Sequence, residues 1–235
     1  MTGRVHSFQS LGALDGPGIR FVAFLQGCNL RCGCCHNPDT QCAAGGTEYT
    51  AEKIIEKAKR YKEYFGAEGG ITLSGGEPLL QAEFAREVFM LAKNEGINTC
   101  LDTSGSILND KVRELLCYTD TVLLDVKYTN EEDYLRYARG SLSETRKFLY
   151  CLFEMNVRTI VRQVIIPTLN DTAENIEALK NVTRGYTNVE KIELLPFRKV
   201  CEVKYEQMGT RFPFAHIPEP TAEKMAELEA LLKKD

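Results

Sequence analysis

Phe21-Val22-Ala23-Phe24-Leu25-Gln26-Gly27-Cys28-Asn29-Leu30-Arg31-Cys32-Gly33-Cys34-Cys35-His36-Asn37 decides how the rest of the chain is read. Its first five residues are apolar, which predicts a buried strand. The strand runs directly into Cys28-x3-Cys32-x2-Cys35. Three thiolates packed this closely can hold three corners of a cubane iron–sulfur cluster. An electron-transfer cluster normally has cysteine on all four irons. A three-cysteine loop leaves one iron open to a small molecule, which can then take an electron directly. Structural zinc usually draws on two knuckles set apart in sequence, and only Cys42 stands near enough to be a distant fourth ligand. A disulfide framework fits less well still. Nine cysteines is an odd number, Cys34 abuts Cys35, and Met1-Thr2-Gly3-Arg4-Val5-His6 is polar and short, unlike a secretory segment. A reducing, cytoplasmic compartment is the expectation. Cys100, Cys117 and Cys151 lie in apolar segments and read as buried thiols. Cys201 has no evident partner.

Outward from this loop, short β-branched runs alternate with helical patterns. Ile71–Ser74, Asn98–Asp102, Thr121–Val126, Thr159–Ile166 and Val189–Leu195 read as five further strands. Thr50 is a plausible cap for a helix whose buried stripe is Ile54, Ile55, Ala58, Tyr61 and Phe65. A second helix carries Phe84, Val88, Leu91 and Ala92 and stops at Gly96. Asp171 with Glu174 reads as a capping box. Pro220-Thr221 opens a last helix, about 221–233, with Met225, Leu228, Leu231 and Leu232 on one face. Six strands alternating with helices imply an α/β fold with a parallel sheet and right-handed crossovers. At 235 residues with 43% hydrophobic side chains, one larger domain spanning 1–235 is expected. No apolar run approaches the ~18 residues of a membrane helix. A net charge of −4, from 29 basic and 33 acidic residues, gives no bulk footprint for nucleic acid.

Polar residues recur where these strands end. The second ends in Ser74-Gly75-Gly76-Glu77-Pro78, the third in Asp102-Thr103-Ser104-Gly105, the fourth in Asp125-Val126-Lys127, the sixth in Pro196-Phe197-Arg198. Each alone could be a solvated loop, and Gly-Gly alone could be a turn. Glycine is also what a ligand lying flat on a strand edge requires. Asp102 and Asp125 should lie on adjacent strands, where two carboxylates repel unless a cation stands between them. Candidates are a ligand ammonium, Lys127 or a bound metal ion.

Taken together, these motifs resemble the radical S-adenosylmethionine (radical SAM) superfamily. His6-Ser7-Phe8 and Asp15-Gly16-Pro17-Gly18-Ile19-Arg20-Phe21 are similar to the opening of its glycyl-radical-enzyme activating family. Cys35–Thr40, Cys100–Gly105 and Val189–Phe197 extend that resemblance from about Val5 to the last helix. It implies a partial (β/α)6, TIM-like barrel with chemistry at the strand ends. It implies a [4Fe-4S] cluster on Cys28, Cys32 and Cys35, within a cluster loop of about 28–40. It implies S-adenosylmethionine (SAM) held by Cys34, His36, Gly75, Gly76, Glu77, Asp102, Asp125, Val126, Lys127 and Arg198. Gly75-Gly76-Glu77 would lie against the cofactor amine. A monovalent cation, Na+ or K+, would sit near Asp102, Thr103, Leu123 and Asp125, and Asp15 with Arg20 would dock an incoming peptide. Cys34 departs from the family's usual aromatic residue and Arg198 from its usual histidine. Cys42 is followed by Ala43-Ala44-Gly45-Gly46 and then a helix, so this resembles the short, single-cluster type.

The reaction this implies is reductive cleavage of SAM to a 5′-deoxyadenosyl radical, which removes hydrogen from a backbone glycine of a partner. The expected partners are a glycyl radical enzyme of the pyruvate formate-lyase type and a flavodoxin or ferredoxin donor, with no nucleic acid, no membrane and a monomeric chain. Alternatives are activation of another glycyl radical enzyme, a small-molecule radical SAM enzyme of the deazaguanine synthase type, or a zinc or electron-transfer module.

Overall fold

The computed structural model describes residues 1–233. Eight strands form one open sheet: β1 (Thr2–Gly12), β2 (Arg20–Leu25), β3 (Thr47–Thr50), β4 (Gly70–Gly75), β5 (Asn98–Thr103), β6 (Thr121–Asp125), β7 (Arg158–Ile165) and β8 (Val189–Pro196). Their order is β3-β1-β2-β4-β5-β6-β7-β8. From β2 to β8 every neighbour pair is parallel, in chain order. These six are the strands expected from the sequence, and they make the partial (β/α)6 barrel.

The two extra strands are antiparallel: β1 pairs with β2, and β3 with β1. They were hidden because they are polar. Val5 is the only large apolar side chain of β1 that is fully buried, and sheet edges commonly carry such sequences. The segment after Gly46 is therefore strand before it is helix.

Helices α1 (Ala51–Lys59), α2 (Ala82–Asn94), α3 (Asp110–Leu116), α4 (Glu131–Ala138), α5 (Leu142–Glu154) and α6 (Ala173–Thr183) fill the crossovers. Two more, α7 (Glu202–Gln207) and α8 (Ala222–Leu232), follow β8. Thr50 caps α1 by accepting from Lys53 N, and Thr221 caps α8 by accepting from Lys224 N. Gly96, at φ +65, terminates α2 as expected. The α1 stripe ends at Ala58, so Tyr61 and Phe65 pack from beyond the helix. The cap of α6 is Thr172, which accepts from Asn175 N at 3.2 Å. Asp171, one residue earlier, instead accepts from Thr168 N. Cys100, Cys151 and Cys201 are buried, but Cys117 is exposed at the end of α3. No helix among the described residues is long and apolar enough to cross a membrane.

Arg20, at the start of β2, is completely buried. Its guanidinium donates to Thr72 Oγ1 at 3.0 Å, Asn98 Oδ1 at 2.9 Å and the carbonyls of Ile71 at 2.6 Å and Glu68 at 2.9 Å. It therefore ties together the strand starts and is closed to an incoming peptide, contrary to the docking expectation. Burial pulls its pKa down from the usual guanidinium value.

Candidate active site

The cysteine loop leaves the end of β2 and is held from several sides. Gly27 N donates to Thr40 O at 2.7 Å, closing the loop on itself. Arg31 N and Gly33 N donate to Ala138 O and Tyr137 O, both at 2.8 Å, at the end of α4. From the C-terminal side, Tyr205 OH reaches Cys35 O at 3.4 Å and Lys204 Nζ reaches Asn37 Oδ1 at 2.9 Å. Gly33 is closely packed here, because a Cβ would lie 2.4 Å from the Phe214 ring and the ring would have to shift.

Cys28, Cys32, Cys34 and Cys35 are half-buried and line a cavity of about 260 Å³. Burial pushes the Cys28 and Cys34 thiols up to about 11 and Cys32 further, with Lys127 partly opposing in each case. Without metal these three thiols are therefore neutral, and metal binding to Cys28 and Cys32 must displace protons.

The end of β4 forms the next wall. Gly75 has φ +116, and a Cβ there would sit 2.3 Å from Leu25 N. A Cβ on Gly76 would sit 2.1 Å from Gly27 O. Only glycine allows the two chains to touch and leaves bare backbone facing the cavity. Glu77 behaves differently from the expectation of an amine contact. It is 1% exposed, and Thr103 Oγ1 (2.6 Å), Ser104 Oγ (2.5 Å), Ser104 N (3.0 Å) and Leu79 N (3.2 Å) donate to its carboxylate. It staples the end of β4 to the end of β5, and the backbone of the motif is left to meet a ligand.

Asp102 stands one residue before the end of β5 and Asp125 ends β6, on adjacent strands as anticipated. The cation between them is a residue the sequence reading passed over. Arg162 of β7 puts Nη2 2.5 Å from Asp102 Oδ1 and Nε 2.9 Å from Asp125 Oδ1. Lys127 Nζ lies 2.7 Å from Asp125 Oδ2, and Ser74 Oγ donates to Asp102 Oδ2 at 2.6 Å. Burial and the neighbouring Asp125 charge raise Asp102 to about 6, with Arg162 only partly offsetting them. Burial also presses on Asp125, but Arg162 and Lys127 outweigh it and hold it at about 2. The ion pairs likewise keep Lys127 and Arg162 protonated against their own burial. A signal for Arg162 exists in the sequence. Arginine alternates with Ile160 and Val164 along one face of an apolar strand, and a buried charge demands a partner.

Other expected positions are distributed as follows. Thr103 lines the cavity, but Leu123 lines a neighbouring groove, so the four residues assigned to a monovalent cation do not share one wall. Val126 is fully buried in the core, with its N–H on Arg162 O. The Arg198 side chain turns outward to Glu219 at 2.7 Å, and its carbonyl lies 2.9 Å from His36 Nε2. His36 therefore lines the cavity while Arg198 supports it through the main chain. Asp15 lines the groove and has no side-chain partner among the described residues.

Comparison with known proteins agrees with this geometry. The family model described as "Radical SAM superfamily" matches residues 22–180. A pyruvate formate-lyase-activating enzyme of Clostridium pasteurianum is 43% identical over 233 residues, covering 99% of this chain and 98% of that one. The pyruvate formate-lyase 1-activating enzyme of Escherichia coli K12 is 41% identical over 235 residues, covering 99% and 96%. A solved domain of a pyruvate-formate lyase-activating enzyme from Bacteroides vulgatus superposes with a TM-score of 0.58 at 20% identity, covering 70% of this chain and 92% of that one. The chain belongs to the radical SAM superfamily and, within it, to the pyruvate formate-lyase-activating enzymes.

Proposed function

We propose that residues 1–235 act as one radical SAM core domain that activates a glycyl radical enzyme of the pyruvate formate-lyase type. The observation that carries the reading is a three-thiol loop opening onto a cavity walled by bare glycine backbone and by paired charges. These residues fit the group the family implies: Cys28, Cys32 and Cys35 line one cavity and would hold a [4Fe-4S] cluster, and Gly75 and Gly76 face the same cavity with bare backbone. Bound there and given one electron by an external donor, the cluster and SAM would supply 5′-deoxyadenosyl radical chemistry for hydrogen abstraction from a backbone glycine.

The chain's own part is positioning. The backbone of Gly75 and Gly76 accepts a flat ligand. Lys127, fixed by Asp125, presents an ammonium to a carboxylate. Asp102 and Asp125 offer acceptors to hydroxyl or ammonium groups, and Arg162 keeps both from repelling. Walls from five strand ends exclude water and hold the reacting atoms in contact. A Na+ or K+ at Asp102, Thr103, Leu123 and Asp125 would have to compete with Arg162. Asp15 is a docking residue for the partner, because burial raises its pKa, Arg162 and Arg20 offset this only in part, and no side chain hydrogen-bonds its carboxylate, so an incoming cation would be favoured. Flavodoxin or ferredoxin is the proposed donor, acting on a cytoplasmic monomer.

The test is anaerobic incubation of the reconstituted, reduced enzyme with pyruvate formate-lyase and SAM, read by electron paramagnetic resonance. The expected result is a glycyl doublet, about four irons per chain by analogy with a cubane, and dithionite-dependent release of 5′-deoxyadenosine. Iron-loaded protein that produces neither the doublet nor 5′-deoxyadenosine overturns the proposal.

A further inference from the structure

The cysteine loop has a second side. Leu30 and Cys32 line the cavity, while Arg31 between them is exposed. Its guanidinium folds back on the loop, donating to Cys28 O at 2.7 Å and Leu30 O at 2.6 Å. The last turn of α4 backs the same stretch through Arg31 N on Ala138 O and Gly33 N on Tyr137 O. A Cβ on Gly140 would meet the Leu30 side chain at 2.7 Å, so the chain leaving α4 stays pressed to the loop. Cys32 thus stands one residue from each of two main-chain hydrogen bonds that lead out to α4.

The outer surface of this junction is basic. Arg136 and Arg139 are exposed; Arg136 lies over the Tyr137 ring at 5.3 Å, and Arg139 closes α4 at φ +54. With Arg31 they make three guanidinium groups that form no ion pair among the described residues. The acids of α4 are engaged elsewhere or stand apart. Glu131 accepts from Leu142 N and Ser143 N, and Asp133 from Asn130 Nδ2. Glu132, exposed one turn before Arg136, forms no ion pair with it. In a chain of net charge −4, this cluster runs against the general balance. Leu135, 67% exposed, adds an apolar contact one turn before Arg139. A helix C-terminus favours cations, which accounts for Arg136 and Arg139 but not for Arg31 on the loop or for Leu135. None of these four residues lines the cavity or the groove beside β8 that holds Asp15.

We infer that the face formed by Arg31, Leu135, Arg136 and Arg139 docks an acidic one-electron carrier protein, which reduces the cluster from behind Cys32. This rests on the function proposed above, which needs an electron from outside. The carrier loses one electron and the cluster gains it, with no bond made or broken. Redox encounters use small interfaces, and opposite charge mainly speeds the encounter. Docking here leaves the cavity to SAM and the groove to the glycine-bearing partner, so carrier and partner can be bound at once.

The probe is reduced flavodoxin, an acidic flavin carrier. Its binding to the metal-free and cluster-loaded chains is measured by titration, and cluster reduction by anaerobic stopped-flow at low and high salt. Arg136→Glu with Arg139→Glu should weaken binding to both forms and slow reduction about tenfold or more at low salt. The salt dependence of the native rate should flatten in that variant. Arg136→Lys with Arg139→Lys keeps both charges and should stay within about twofold of native. Reduction by photoreduced 5-deazariboflavin, a small uncharged reductant, should be unchanged by either pair, as should KM for the glycyl radical partner under that reductant. Flavodoxin binding and reduction that survive charge reversal overturn the docking face and leave the arginines as helix-end charges. Equal slowing with the deazaflavin traces the effect to a disturbed loop and also overturns it, as does a loss confined to KM for the glycyl radical partner. Native enzyme that takes electrons from flavodoxin through these arginines yet cleaves no SAM overturns the proposed function and leaves the docking face standing.

Discussion

Arg162 is the residue on which the charged rim depends. Its guanidinium is about a tenth exposed and bridges two carboxylates that would otherwise face each other. Arg162→Met leaves Asp102 buried without a cation and Asp125 with Lys127 alone, and removal of one member of a buried pair typically costs about 3–5 kcal/mol. Urea denaturation of the metal-free protein at pH 7 should show a loss of that order. Adding Asp102→Asn should recover part of it; a strictly additive double variant would contradict the bridge. The pair also predicts opposite pH limbs. Asp102 is raised to about 6, so the fold binds a proton that the unfolded chain has already released. Its contribution is most favourable below about pH 4 and declines as pH rises through about 6. Asp125 is lowered to about 2, so its contribution is complete above about pH 4 and disappears as pH falls toward 2. Subtracting the stability curve of Asp102→Asn from that of the native chain should isolate the upper limb, and Asp125→Asn the lower. Curves that differ by a constant would refute both assignments.

At the scale of elements, the cysteine loop is gripped by parts of the chain far from it in sequence. Gly33 and Phe214 meet because α4, the loop and the segment after α7 converge, with Tyr137 and Phe214 in edge contact at 5.9 Å. Gly33→Leu should therefore destabilise the loop by about 1–3 kcal/mol, the usual cost of overpacking. Iron retention on air exposure should fall with it, and Gly33→Leu with Phe214→Ala should regain both. Failure of the second change to rescue would mean that the aromatic ring is not the obstacle. The parallel strands were legible because each is an apolar run bounded by turn residues, and the cavity glycines and aspartates were legible because they end those runs. β1 and β3 were not, since polar antiparallel edges carry no such pattern. Arg162 was missed for a different reason. Its partners lie 60 and 37 residues away, and only the register that sets Asp125 beside Arg162 reveals them. Thr172 in place of Asp171 is a one-residue shift between two side chains equally able to cap.

Across the whole molecule, the open side of the barrel separates two jobs that a closed barrel would merge. The cysteine-lined cavity is the proposed place of SAM cleavage, and the groove beside β8 contains Asp15 but none of the proposed cluster thiols. Burial raises the pKa of Asp15, with Arg162 and Arg20 only partly opposing, and its carboxylate has no hydrogen-bonding side chain among the described residues, so a cation brought by another protein should stabilise it. Asp15→Asn keeps the size and polarity of the side chain and removes its charge. The turn should persist, because it is held by Thr72 Oγ1 on Asp15 O at 2.7 Å and by Arg20, contacts that do not involve the Asp15 carboxylate. Iron content and uncoupled 5′-deoxyadenosine release should then remain within about twofold of native. Glycyl radical formation at sub-saturating partner should drop about tenfold, the value of a charge-assisted contact of ~1.4 kcal/mol. The loss should appear in KM for the partner, shrink as partner concentration rises, and weaken with added salt as screening reduces the native advantage. An equal fall in SAM cleavage and radical transfer would place Asp15 in the cavity's own chemistry, and the separation of the two jobs would fail.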